Sequence, residues 1–154
     1  MAEFDKMPMQ KAHIHFGKEC FNQAWDRIEK QNRTQADEDT MIHLAHASIY
    51  HWTQRADCMD QNLSIGFWQL SRVYALAGLG ACALRSAQTC LSHSEQDGVA
   101  TVFLGYAHEA LARSYAVLGD SEQSASHIQA AKDIAITLPD DDREQLLGDM
   151  ADIA

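Results

Sequence analysis

The chain has 154 residues, with 12 Lys and Arg against 22 Asp and Glu, for a formal net charge of −10. That balance repels phosphate backbones and anionic lipid, and no Lys/Arg cluster concentrates the basic groups on one surface, so nucleic-acid and membrane partners are excluded. Hydrophobic residues at 46% and charged residues at 22% are the composition of an ordinary soluble domain.

The opening MAEFDKMPMQ holds no apolar run of signal-peptide type, and no stretch elsewhere is apolar enough to span a bilayer, so a cytoplasmic protein is expected. Residues 1–8 read as a flexible tail, and 9–154 as a single α-helical repeat domain. Pro8 and Pro139 are the only prolines, and the segment between them is rich in Ala, Leu, Gln and Ser with few valines. Such a segment suits helices and suits strands poorly.

From Pro8, which can open the first helix, the residues Ile14, Gly17, Phe21, Ala24, Trp25 and Ile28 share one face of a helix running to about Asn32. Thr34 is the N-cap expected for helix two, with Asp37, Glu38 and Asp39 near its positive end, and Met41, Ile42, Ala45, Ile49 and Trp52 on its apolar face. Residues 56–62 form a turn. Helix three carries IGFWQLSRVYALAG and is broken at Gly78 and Gly80, and helix four is GACALRSAQTCLSHS, ended by Asp97-Gly98. Helix five holds FLGYAHEALARSYAVL and stops at Gly119. Asp120 with Gln123 is an N-cap pattern for helix six, DSEQSASHIQAAKDIAITL, and Pro139 with three aspartates opens a short helix seven. Seven helices with short connections imply antiparallel neighbours. Cys20, Cys58, Cys82 and Cys90 form no CxxC pair, and Cys82 and Cys90 fall inside helical pattern as small hydrophobes.

Helices three and four superpose on helices five and six at a constant offset of 41 residues, matching Phe67, Leu70, Ser71, Tyr74, Gly78, Ala83, Ala87 and Cys90 with His108, Leu111, Ala112, Tyr115, Gly119, Ser124, Ile128 and Ala131. This resembles the tetratricopeptide pattern of a large residue, Leu, a small residue and Tyr on a first helix, Gly at the turn, and small residues on a second. The period is longer than the tetratricopeptide norm of about 34, and the repeat-ending proline is missing from both units. The resemblance implies an all-α fold of antiparallel helix pairs stacked as a short superhelix, with 64–97 and 105–137 as the best repeat units and 139–153 as a capping helix. The segments HLAHASIYHW, WQLSRVYALAGLGACAL and YAHEALARSYAVLGD also resemble a group of small bacterial proteins of no assigned function.

The same resemblance implies a ligand groove along the first helices, at Ile65, Trp68, Arg72, Ala75 and Leu76 and then Tyr106, Glu109, Arg113, Ala116 and Val117. Arg72 and Arg113 hold equivalent places. Beside Trp68 and Tyr106 they would cradle a carboxylate or peptide terminus, because guanidinium forks pair bidentately with such groups. The alternative is architectural: Glu109 and Arg113 are an i,i+4 pair, and Arg72 reaches Glu109 from the neighbouring helix.

Helix two sets Asp39, His43 and His46 at i, i+4 and i+7, a spacing that can ligate zinc or iron if His13, His15 or His108 completes the set. Otherwise these histidines belong to a helix–helix seam, with Asp39 bonded to His43. No phosphate loop, nucleophile elbow or metalloprotease motif occurs, and cysteine catalysis would need Cys58 to meet a His in the fold. The leading expectation is therefore a binding module for an anionic peptide end, a protein partner or a small anionic ligand, without a cofactor. A metal-binding bundle or metalloenzyme, and a self-associating homo-oligomer, are the alternatives.

Overall fold

A computed structural model describes residues 8–153, so the expected tail lies, apart from Pro8, outside the described residues. These residues form seven α-helices: α1 (Met9–Ile28), α2 (Gln35–Thr53), α3 (Asp60–Leu76), α4 (Gly80–Ser94), α5 (Thr101–Leu118), α6 (Ser121–Ala135) and α7 (Asp140–Met150). The fold is all-α, built of antiparallel helix pairs, with no strand among the described residues. None of these helices is long and apolar enough to cross a membrane. The helices divide into two compact units, one ending at Met59 and the other beginning at Asp60. The division falls where the apolar periodicity of α2 has run out.

In the first unit α1 packs on α2 around buried Ala24, Met41 and Ala45. The two helices approach closely at Gly17, where an added Cβ would lie 3.4 Å from the Trp52 indole, and Ser48 Oγ donates to the Gly17 carbonyl at 2.8 Å. Thr34 caps α2 in a reciprocal box with Asp37. The hydrogen bond from Lys30, with those from Thr34, lowers the Asp37 carboxyl to about 2. Helix α1 ends at Ile28 rather than near Asn32 because Arg33 Nη1 takes the carbonyls of Ile28 and Lys30, at 2.8 and 2.9 Å.

In the second unit α3 packs on α4, α4 on α5 and α5 on α6, while α3 also lies against α5 and α7 closes on α5 and α6. Buried Ala83, Ala87, Ala107, Ala110 and Ala112 allow the backbones to approach. Several positions matched at the 41-residue offset make like contacts. Ser71 Oγ of α3 donates to the Ala83 carbonyl of α4 at 2.9 Å, and at the matching pair Ser124 Oγ of α6 donates to the Ala112 carbonyl of α5 at 2.9 Å. The hydroxyl has changed sides while the contact has stayed. Gly78 and Gly119 stand at φ 75° and 79°, and the next residue closes each helix, Leu79 onto the Tyr74 carbonyl and Asp120 onto that of Tyr115. Tyr74 and Tyr115 are both half-buried.

One expectation for a single residue is corrected. Cys82 is exposed on α4 rather than packed as a hydrophobe, because the buried stripe of that helix runs through Ala83, Ala87 and Cys90. Cys90 is buried beside Ser64 and Ser94, and burial pushes its thiol up to about 11, which leaves it an inert packing residue. Helix α7, expected as a capping helix, has an apolar face inside its acidic segment. It buries Leu146 and Met150 against Ala131, Ala135 and Leu138.

Helix α5 is tied to α6 by His108 and His127, whose Nδ1 atoms are 3.0 Å apart, so one ring must donate and the other accept. His127 also stacks on Tyr115 with ring centroids 5.6 Å apart. Burial and repulsion by His127 lower the His108 pKa against the opposing pull of Glu95, and burial lowers that of His127. The unfolded chain, with histidines near 6.5, takes up these protons first. Stability from this pair is therefore complete above about pH 6.5 and declines as the pH falls below it. Urea unfolding at neutral pH and at pH near 5 should show a loss on acidification that is smaller in His127→Phe; an equal loss in both proteins would reject this assignment.

Candidate functional site

The first helices of the two matched pairs bring five expected residues to one place in the second unit. Trp68 and Arg72 project from successive turns of α3, and Tyr106, Glu109 and Arg113 from successive turns of α5. Glu109 is completely buried. Its Oε1 accepts from Arg72 Nη2 at 2.9 Å and from Arg113 Nε at 2.8 Å, and its Oε2 accepts from Trp68 Nε1 at 2.8 Å. Arg113 then reaches α7 and the residue beyond it, donating from Nη2 to the Asp149 carbonyl at 2.8 Å and to Asp152 Oδ1 at 2.9 Å. Burial disfavours the Arg113 charge, but Glu109 and Asp152 outweigh it and raise the guanidinium pKa further. The hydrogen bond from Arg113 lowers the Asp152 carboxyl.

Both arginines are thus engaged with carboxylates. Arg72 Nε is buried without a hydrogen-bond partner. The arrangement matches the architectural alternative, with Glu109 bridging the two cations across the α3–α5 seam. A carboxylate so placed has its lone pairs filled by donors from two helices and so fixes their register.

In front of this network lies a cavity of about 300 Å³. Ile65 and Trp68 of α3 and Val102, Phe103 and Tyr106 of α5 form its walls, Ser64 adds a hydroxyl already bonded to Ser94 at 2.7 Å, and Asp142 and Gln145 of α7 supply the polar edge. The Trp68 and Tyr106 rings meet edge to face, with centroids 5.2 Å apart at 70°. Tyr106 donates its hydroxyl to Asp149 Oδ2 at 2.8 Å, and burial together with that carboxylate raises its pKa, keeping the proton in place. The remaining groove positions, Ala75, Leu76, Ala116 and Val117, are not among the cavity walls.

Sequence reading finds Ile65, Trp68 and Tyr106 of this cavity but misses Ser64, Val102, Phe103, Asp142 and Gln145. The first three lie half a turn from, or before, the positions that the repeat pattern marks. Asp142 and Gln145 belong to α7, whose docking depends on Leu146 and Met150 at i,i+4 inside an otherwise acidic segment. That spacing is the signal that could have found them.

On α2, Asp39, His43 and His46 are all exposed, and partial burial lowers the His46 pKa, with repulsion by His43 adding to it. Asp39 accepts from Gln35 Nε2 at 3.0 Å and not from His43. His13 lies instead against His51, with Nδ1 atoms 2.9 Å apart, His15 is exposed beside Phe16, and His108 pairs with His127. Among the described residues no three His, Cys, Asp or Glu side chains converge on a point where a metal could be held. Comparison of the chain with protein-family profiles, with curated proteins and with solved structures finds no match.

Proposed function

We propose that the chain is a tetratricopeptide-like binding module whose ligand seats in the cavity between α3, α5 and α7. One observation carries this reading: an open, aromatic-walled cavity stands directly in front of a buried ion network that fixes its two ring walls. Concave, mostly apolar spaces edged by a few polar groups are where proteins take small ligands and single side chains, and 300 Å³ is at the small end of that range. The network supports the ligand indirectly, by holding Trp68 through Glu109 and Tyr106 through Asp149. None of the four cysteines is in a disulfide, which fits a reducing, cytoplasmic setting.

An anionic ligand on Arg72 and Arg113 would have to displace Glu109 from both, and that exchange would strand a buried carboxylate. The cavity walls therefore select the ligand, and the arginines hold the walls.

A ligand-observed NMR screen of small neutral, cationic and anionic fragments tests the proposal, with Val102→Trp as the comparison. The new indole should fill the cavity, so compounds that bind the wild type should lose at least about tenfold in affinity while the circular dichroism spectrum is kept. Fragments that bind both proteins equally, or binding confined to anions that is lost in Arg72→Ala, would overturn the cavity as the ligand site.

A further inference from the structure

Taking the cavity as the ligand site, we infer that its ligand is a small organic cation with a methylated ammonium head. Trp68 and Tyr106 line the cavity with rings in edge-to-face contact, 5.2 Å between centroids at 70°, and Phe103 adds a third aromatic side chain. Ring faces carry the negative lobe of the aromatic quadrupole, so several rings around one small space favour a soft, weakly hydrated cation over an anion.

The polar hydrogens of the two principal walls are already used, and both go to carboxylates. Trp68 donates to Glu109 and Tyr106 to Asp149, each at 2.8 Å. These bonds leave the ligand no strong donor from either ring. They also push electron density into the rings, since a hydrogen partly drawn toward a carboxylate leaves its heteroatom more electron-rich, and the faces become more attractive to positive charge.

The fixed charges agree. No lysine or arginine lines the cavity, whereas Asp142 does, and among the described residues Asp142 has no ion-pair partner. Arg72 does approach Trp68, with Cζ 5.6 Å from the ring centroid, but its charge is matched by Glu109 at 2.9 Å. An anion in this space would face Asp142 and the ring lobes. A primary ammonium would have to shed tightly held water, whereas methyl groups spread the charge and fill apolar space beside Ile65 and Val102. The trimethylammonium head is common to free choline-like molecules and to a trimethyllysine side chain of a partner protein; of these the free small molecule is the proposed occupant, and a peptide arm of the experiment separates the two.

The experiment titrates the intact chain by NMR with choline and with its uncharged isostere 3,3-dimethylbutan-1-ol, which replaces the quaternary nitrogen by carbon. Choline should bind at least about tenfold more tightly than the alcohol. Asp142→Asn, a change at a partly exposed position, should weaken choline several-fold and leave the alcohol unchanged. If the alcohol binds as well as choline, and both are lost in Val102→Trp, the cavity remains the ligand site and the cationic assignment is overturned. If neither binds and no fragment of the screen does, both readings fail together. A trimethyllysine peptide that binds at least tenfold more tightly than choline would overturn the assignment to a free small molecule.

Discussion

Replacing Glu109 by Ala should destabilise the second unit by about 3–5 kcal/mol, the loss typical of leaving a buried charge without its partner. The carboxylate is completely buried, and it receives Arg72, Arg113 and the Trp68 indole together. Its removal strands the Arg72 guanidinium, whose side chain is only 13% exposed, and leaves Arg113 with Asp152 and the Asp149 carbonyl alone. Glu109→Gln should lose less, because the amide oxygen still accepts. Arg72→Ala combined with Glu109→Ala should be less harmful than the sum of the two single changes, since the pair shares one interaction. Urea titration measures all of these; a Glu109→Ala protein within 0.5 kcal/mol of wild type, a surface-like effect, would show that the network is not structural.

Leu146→Ala should cost about 2–5 kcal/mol, the range for emptying a buried leucine site. Leu146 is fully buried, and it sits so close to Gly105 that a Cβ added there would be 2.6 Å from Leu146 Cδ2. Little else holds α7 with apolar surface besides Leu146 and Met150, and α7 carries the Asp142 and Gln145 edge of the cavity. The substitution should therefore speed amide exchange throughout α7 and weaken any cavity ligand as well. Leu147→Ala, at the exposed neighbouring position, should do neither. Equal effects of the two substitutions on exchange would contradict the docking of α7 through Leu146.

These two residues also mark where sequence reasoning succeeds and where it stops. The network around Glu109 is legible because the repeat offset sets Arg72 and Arg113 in equivalent places and the i,i+4 spacing brings Arg113 to Glu109. Thr34, Gly78 and Gly119 are legible because capping is local chemistry, settled within one turn of chain. The role of α7 is not legible in the same way. Its first turn is Asp140, Asp141 and Asp142, which signals a solvated helix and masks the single i,i+4 pair, Leu146 and Met150, that reaches the core.

The histidine pairs fail for a related reason. His13 with His51, and His108 with His127, lie 38 and 19 residues apart on different helices, so no spacing along one helix announces them. The stripe of Asp39, His43 and His46 is announced by spacing, yet among the described residues it gathers no metal-ligating cluster. Helical periodicity tells which residues share a face, and packing decides whether that face meets a partner helix.

The indole N–H of Trp68 offers the most direct test, because it joins the buried network to the cavity wall. In a proton–nitrogen correlation spectrum its resonance should be protected from exchange by the bond to Glu109, and it should shift saturably as choline is added while those of Trp25 and Trp52 stay fixed. A Trp68 resonance that exchanges freely, or one that moves no more than the other two indoles at saturating choline, would contradict the assignment of this cavity as a binding site braced by the Glu109 network.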